Sequence, residues 1–161
     1  MNKPLRHIAA LAASLLVASG CATTPPPASI ADTIARTPQL STLSKLVSDA
    51  GLTDTLRGAG PFTVFAPTDD AFKSMPAATL TVLGNDKERL KAVLMYHVVP
   101  GTVLSADVKN GPAKTAQGAN VALAKAGTFV TVDDAVVTSA DIAATNGVVQ
   151  VVDRVLMPPA R

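Results

Sequence analysis

The chain reads as an α+β fold in which helices come first and a mainly antiparallel sheet follows. Two observations carry that expectation. From Ser29 to His97, apolar residues recur at helical spacing, interrupted by one β-branched and aromatic run, Phe62-Thr-Val-Phe-Ala66. After Pro100-Gly101 the helical spacing stops, and Val-rich runs separated by turn residues continue to the end. Helices and strands segregated along the chain define the α+β class.

Each element has its own warrant. Ser29 with Asp32 forms an N-cap arrangement, Ile30 and Ile34 supply a short apolar stripe, and Pro38 ends that helix. Leu43, Leu46, Val47 and Ala50 fall on one helical face, closed by Gly51. Leu52 to Arg57 predicts one more short helical turn before Gly58-Ala-Gly60-Pro61. Phe62–Ala66 predicts a strand, interrupted by Pro67-Thr68, and Asp69-Asp70-Ala-Phe72 opens a helix. A short segment over Thr79–Gly84 follows. Asp86 can then cap a helix over Lys87–Tyr96 with the stripe Leu90, Val93, Leu94 and then His97. The predicted strands of the second half are Asn120–Ala124, Thr128–Val132, Ala135–Thr138 and Val148–Leu156. The pattern shows no internal repeat and no second domain.

Composition bounds what this fold can do. The chain has 161 residues, 48% hydrophobic and 16% charged, so it can bury a core. Its net charge of +2 comes from Lys3 and Arg6; without them twelve basic residues face twelve acidic ones. A neutral domain with four Phe, one Tyr and no Trp lacks the basic stripe that nucleic acid requires. The single cysteine excludes an intramolecular disulfide and a thiolate zinc cluster.

The amino terminus is a targeting segment. Lys3 and Arg6 precede the apolar run Ile8–Val17, too short for a spanning helix of roughly 20 residues but suited to a signal-peptide core over 1–20. The run ends in Ala18-Ser19-Gly20-Cys21, which resembles the lipobox of bacterial lipoproteins. In that family the cysteine is lipidated and becomes the new amino terminus. Ala18 departs from the usual Leu three positions before the cysteine. The alternative is ordinary secretion with Cys21 left as a free thiol. Ala22 rather than Asp after the cysteine, by resemblance to enteric lipoproteins, implies export to the outer membrane. Thr23-Thr-Pro-Pro-Pro-Ala28 completes a semi-rigid linker over 21–28.

Three blocks from Ser29 to Pro158 resemble a known family. Gly60-Pro-Phe-Thr-Val-Phe-Ala-Pro-Thr-Asp-Asp-Ala-Phe72 is similar to the first conserved block of fasciclin domains, Tyr96-His97-Val-Val-Pro100 to their central Tyr-His element, and Asn146-Gly-Val-Val-Gln-Val-Val-Asp-Arg-Val-Leu156 to their second block. The resemblance implies one domain over 29–158, a wedge-shaped β-sandwich with helices packed on it. It also implies a surface or secreted module that works by binding, often in adhesion. Phe65, Thr68, Asp69, Tyr96, His97, Asn146 and Gly147 are the motif residues it carries over. Gln150 departs from the His usual in the second block.

The candidate reactive groups have simple readings beside the functional ones. Asp69-Asp70 could serve acid–base or metal chemistry, but Thr68 is a good N-cap and acids in a first helical turn complement its orphan amides. The mature chain offers one His and one Glu, Glu88, and lacks a calcium-loop spacing, so neither a metal nor another cofactor is expected. His97 is the single mature histidine; it continues an apolar stripe, and no Gly-x-Ser-x-Gly elbow offers it a nucleophile. Asp141-Ile142 lies in a stretch, Ser139–Gly147, resembling the segment of animal fasciclin domains tied to integrin binding. Its other reading is an Asp satisfying a turn and an Ile plugging the core.

The expectation is a non-enzymatic binding or adhesion module of the cell envelope. It is held to the membrane through Cys21, in the outer membrane by the lipobox reading, and meets a protein or glycan partner. The alternative is a periplasmic small-molecule binder or an enzyme accessory subunit, for which an apolar pocket with a few polar groups would speak.

Overall fold

The computed structural model describes residues 28–159. The expected signal peptide, Cys21 and the expected linker up to residue 27 lie outside the described residues. The elements follow in the order α1 (Ile30–Arg36), a 3-10 turn (Pro38–Leu40), α2 (Ser41–Asp49), α3 (Thr53–Arg57), β1 (Phe62–Pro67), α4 (Asp69–Lys73), α5 (Ala77–Asn85), α6 (Lys87–Tyr96), β2 (Val98–Pro100), β3 (Gly111–Lys114), β4 (Asn120–Ala126), β5 (Phe129–Val132), β6 (Ala135–Ala144) and β7 (Gly147–Val152). Helices α1, α4 and α6 start where polar side chains cap them. Ser29 Oγ accepts from the Asp32 N–H at 3.3 Å, Thr68 Oγ1 from Ala71 at 3.2 Å, and Asp86 Oδ1 from Arg89 at 3.0 Å.

The strands form one curled sheet in the order β2-β1-β7-β6-β5-β4-β3. All neighbouring pairs are antiparallel except β1 with β7, which run parallel from Phe62↔Gly147 to Pro67↔Val152. The two ends of the order return to each other, because the Ala116 N–H just beyond β3 donates to the Val98 carbonyl of β2 at 2.7 Å. The result is a nearly closed, wedge-shaped arrangement. Strand β6 is its corner: Ala135 and Val136 pair with β5, whereas Val137 to Ala144 pair with β7 across two register shifts.

Two apolar clusters hold the layers together. Ile30, Ile34, Leu43, Leu90, Val93 and Leu94 of the helices pack on Val64 and Ala66 of β1 and Val149 and Val151 of β7. Phe65 and Val152 point the other way, into a second cluster with Tyr96, Val121, Leu123, Val130 and Val132. Strands β1 and β7 are thus buried on both faces, which is why they read as near-continuous apolar runs. Strands β4 and β5 keep the strict alternation of a half-exposed sheet.

The structure departs from the sequence expectation at edges and lengths. Strands β2 and β3 were outside it: β2 has three residues, and Gly111-Pro112 in β3 are poor strand formers tolerated at the end of the sheet order. Strand β6 extends six residues past the expected Thr138, so Asp141 and Ile142 belong to a strand rather than to a turn before β7. The bulges at Ser139–Ile142 break the alternation that would have revealed it. Strand β7 stops at Val152. Asp153 turns back on β6, its Oδ1 accepting from the Val136 N–H at 2.7 Å.

Phe65, 1% exposed at the centre of the second cluster, sets a test of this packing. Phe65→Ala is expected to lower unfolding free energy by ~3–5 kcal/mol, read from denaturant titration; an unchanged midpoint would place that ring outside the core.

Candidate functional site

The motif residues meet first where β7 begins. Gly147 has φ +153°, and a Cβ there would stand 1.8 Å from the Phe62 carbonyl oxygen. A Cβ at Gly60 would likewise stand 2.0 Å from the Asn146 carbonyl oxygen. The two backbones touch, so neither position has room for a side chain. Asn146 uses that proximity. Its Oδ1 accepts from the Ile30 N–H at 2.9 Å, and its Nδ2 donates to the carbonyls of Leu56 at 2.7 Å and Gly58 at 2.9 Å. One amide side chain therefore joins the start of α1, the end of α3 and the start of β7.

Tyr96 and His97 close α6. His97 is buried, and its Nε2 accepts from the Leu156 N–H at 3.0 Å. An amide can only donate, so Nε2 carries no proton, and Nδ1–H donates to the Val93 carbonyl at 2.8 Å. The ring is neutral in one defined tautomer. Burial pushes its pKa down to about 4, against smaller opposing effects of the Val93 bond and Asp133. The Tyr96 hydroxyl lies 2.8 Å from Asp133 Oδ2 and 3.1 Å from the Asn120 carbonyl. Desolvation first, then Asp133, pushes its pKa up to about 12. Asp133 itself, at φ +51°, accepts from the Ala122 N–H through Oδ1 at 2.7 Å. Asp133 thereby clamps β4 to α6.

The carboxylate pair after β1 divides its work. Asp69 accepts from Ser41 Oγ at 2.6 Å and from the Thr42 N–H at 2.8 Å, which caps α2 rather than its own helix. The Ser41 bond, with the Thr42 bonds behind it, holds its carboxyl below the usual range. Asp70 is exposed and pairs with Lys73 at 2.9 Å. Among the described residues no three His, Cys, Asp or Glu side chains gather where a metal could sit.

Asp141 sits in the bulge of β6 at φ +58°. Its Oδ1 accepts from the Ser105 N–H and from Gln150 Nε2, both at 2.8 Å, and its Oδ2 accepts from Ser105 Oγ. Gln150, buried in β7, also accepts the Asp141 N–H at 3.1 Å and donates to the Val103 carbonyl at 3.1 Å. Burial pushes the Asp141 carboxyl up, yet the bonds from Ser105 and Gln150 outweigh it and leave its pKa below the usual value. Ile142 is half-buried and packs against the helical cluster. The pair pins the segment after β2 to β6 and β7. Sequence alone placed Gln150 only as a departure from a family pattern; its hydrogen-bonding capacity was the signal for this role.

Of the hollows among the described residues, two flank the Tyr96-His97 element. An apolar cavity of about 50 Å³ lies between Leu43, Leu52, Leu56, Phe62, Leu94 and Met95. It is well below the ~300–1,000 Å³ of small-molecule sites. An open groove of about 700 Å³ runs beside the Tyr96 hydroxyl, lined by Asn120, Asp133, Asp134, Arg154 and Met157.

Comparison with known proteins agrees with this geometry. The model of the fasciclin domain matches residues 38–158, and the chain belongs to that family. A protein of the cyanobacterium Synechocystis, sll1483, is 43% identical over 121 residues, covering 74% of this chain and 67% of the relative. The cell surface glycolipoprotein MPB83 of Mycobacterium bovis is 38% identical, covering 82% of this chain and 61% of its own length. The porcine transforming growth factor-beta-induced protein ig-h3 is 39% identical over 85% of this chain but only 20% of that protein. The chain thus spans a part of each relative. Among solved structures, the FAS1 domain pair of the insect cell adhesion molecule Fasciclin I superposes with a TM-score of 0.64 at 16% identity, over 81% of this chain and 51% of that one. That likeness shows the fold.

Two measurements follow from these contacts. Asn146→Ala leaves three backbone groups without partners and is expected to destabilise by roughly 2–4 kcal/mol; a thermal melt unchanged from wild type would remove its joining role. For His97 the folded pKa, about 4, lies below the unfolded value of 6.5, so the unfolded chain takes up the proton first as pH falls. Stability is fully present above pH 6.5 and is lost down to about pH 4, on the order of 3 kcal/mol in all. Carboxylates held below their usual range act only at lower pH. Denaturant titrations from pH 7 to 4 should show this slope in wild type and lose it in His97→Gln.

Proposed function

We propose that this protein is a lipid-anchored, non-enzymatic binding module of the cell envelope that engages a protein or glycan partner. The single observation that carries it is where the structure keeps its room and its free polar groups. The enclosed cavity is too small for a metabolite, whereas the open groove exposes Asp134 and Arg154 to solvent beside the Tyr96 hydroxyl. His97 and the carboxylates of Asp69, Asp133 and Asp141 hold backbone amides or carbonyls in place, an arrangement that supports structure over turnover. The names of the relatives, a cell surface glycolipoprotein and a cell adhesion molecule, support an envelope location and a binding role. The lipobox at Cys21 supplies the anchor, and by the same reasoning its address is the outer membrane. Asp141-Ile142 is a weaker contact point, because both carboxylate oxygens are engaged and Ile142 faces the core.

Site-specific photocrosslinking in living cells tests this reading. A crosslinker at position 134 is expected to give a discrete adduct that Arg154→Glu abolishes, while one at Lys45 on α2 gives none. Equal labelling at both positions, or none at 134, would discard the groove as the binding surface. The anchor is tested separately: Cys21→Ser should abolish lipid labelling and release the protein in soluble form or leave it uncleaved. Wild-type labelling and fractionation of that variant would end the lipoprotein reading.

A further inference from the structure

The second half of the sheet has an outward face that none of the described residues covers. Cross-strand partners share a face, so Pro112 with Ala122, Ala124 with Thr131, and Ala126 with Phe129 line one side of β3–β5. The alternate row, with Val121, Leu123, Val130 and Val132, is the buried one. On the outward face the charged side chain contributed by these three strands is Lys114, at the end away from Phe129. Phe129 is 68% exposed beside the hairpin tip Gly127-Thr128, and residues 126–132 carry no charge. With Pro112, Ala122, Ala124 and Ala126 it forms a contiguous exposed apolar strip suited to an apolar partner.

The position of that tip says which partner. Strand β6 runs from its pairing with Val132 toward Ala144, and β5 runs the opposite way, so Phe129 lies toward the Ala144 end of the molecule. Side-chain contacts agree. The Lys125 ammonium donates to the Ala106 carbonyl at 2.7 Å, and neighbouring Ser105 is held by Asp141, three residues before Ala144. The described chain enters at that same end, where the Thr145 N–H donates to the Ala28 carbonyl at 2.9 Å. Seven residue steps separate Cys21 from Ala28. At most ~3.3–3.6 Å each, they span roughly 25 Å. A lipid on Cys21 therefore keeps the hairpin end of the sheet close to the bilayer.

We propose that the hairpin end of the outward face of β4 and β5, led by Phe129 with Ala124 and Ala126, rests on the lipid surface to which the chain is tethered. The contact rests on the lipid-anchor reading above and adds to it a fixed orientation. The Phe129 ring enters the headgroup boundary, where aromatic side chains favour the interface. The small residues behind it let the sheet lie close to the surface. The groove beside Tyr96, lined by Asn120, Ala122 and Ala135, lies at the other end of that face and stays clear of the hairpin contact.

The chain contains no tryptophan, so a single indole reports without background. Full-length lipidated protein carrying Phe129→Trp is reconstituted into phosphatidylethanolamine–phosphatidylglycerol vesicles with or without brominated acyl chains. Val82→Trp serves as the control. Val82 is exposed on α5 in the same hollow as Met157, beyond the far end of β7. The indole at 129 is expected to shift to the blue and lose intensity in brominated vesicles, and the indole at 82 to do neither. If the protein floats with the vesicles while the indole at 129 stays unshifted and unquenched, the docking is overturned and the anchor stands. Equal quenching at both positions overturns it too, because the domain then has no preferred orientation. A blue shift that follows protein concentration without bromine quenching assigns the face to a second copy of the chain and overturns the lipid contact. Failure to float removes the anchor and the docking together.

Discussion

The contact on which this molecule depends is the one between the Phe62 carbonyl and the bare Cα of Gly147. It lets β1 and β7, from opposite ends of the domain sequence, run parallel for six residues. Everything else is hung on that pair. Their helix-facing residues seat α1, α2 and α6, and their other faces seat the curled half of the sheet. Asn146 then gathers the start of α1 and the end of α3 at the same spot, so a single turn sets both the sheet register and the helical layer. Parallel pairing across so long a stretch of chain costs closure entropy before its contacts form. The buried Val-rich strands on either side offset that cost.

The legible parts of the fold were those with strong local chemistry. The caps at Ser29, Thr68 and Asp86, the stripe of α6 and the apolar runs of β1 and β7 each state their role in their own residues. What could not be read depends on partners distant in sequence. Strand β2 exists because Thr63 and Val64 lie across from it, and β3 because β4 supplies its ladder. The parallel sense of β1 and β7 has no mark in either strand. The Asp141 clamp was hidden for the same reason, since it requires Ser105 and Gln150 to arrive from two other segments. Asp69 shows a subtler gap. Its place in a helical first turn was visible, but the amide it satisfies belongs to α2.

The titratable groups illustrate how a fold uses charge without chemistry. A buried imidazole with a donor on one nitrogen and an acceptor on the other behaves as a two-ended amide. Its protonation is suppressed first because burial penalises the charged ring, and the charged form would also lose the Leu156 bond. The same logic explains why Gln can stand where the family usually has His: at position 150 the site needs a donor and an acceptor, which an amide supplies at any pH.

The length of β6 has a mechanical consequence. Although β6 has ten residues, its bulged Val137–Ala144 stretch runs alongside only the six residues of β7, at ~3.3 Å each, so the groove end and the tether end stand roughly 20 Å apart. The groove and the entry of the chain at Ala28 are thereby held at a fixed separation. Under the proposed lipid anchor, that separation would set how far from its point of attachment the groove can meet a partner.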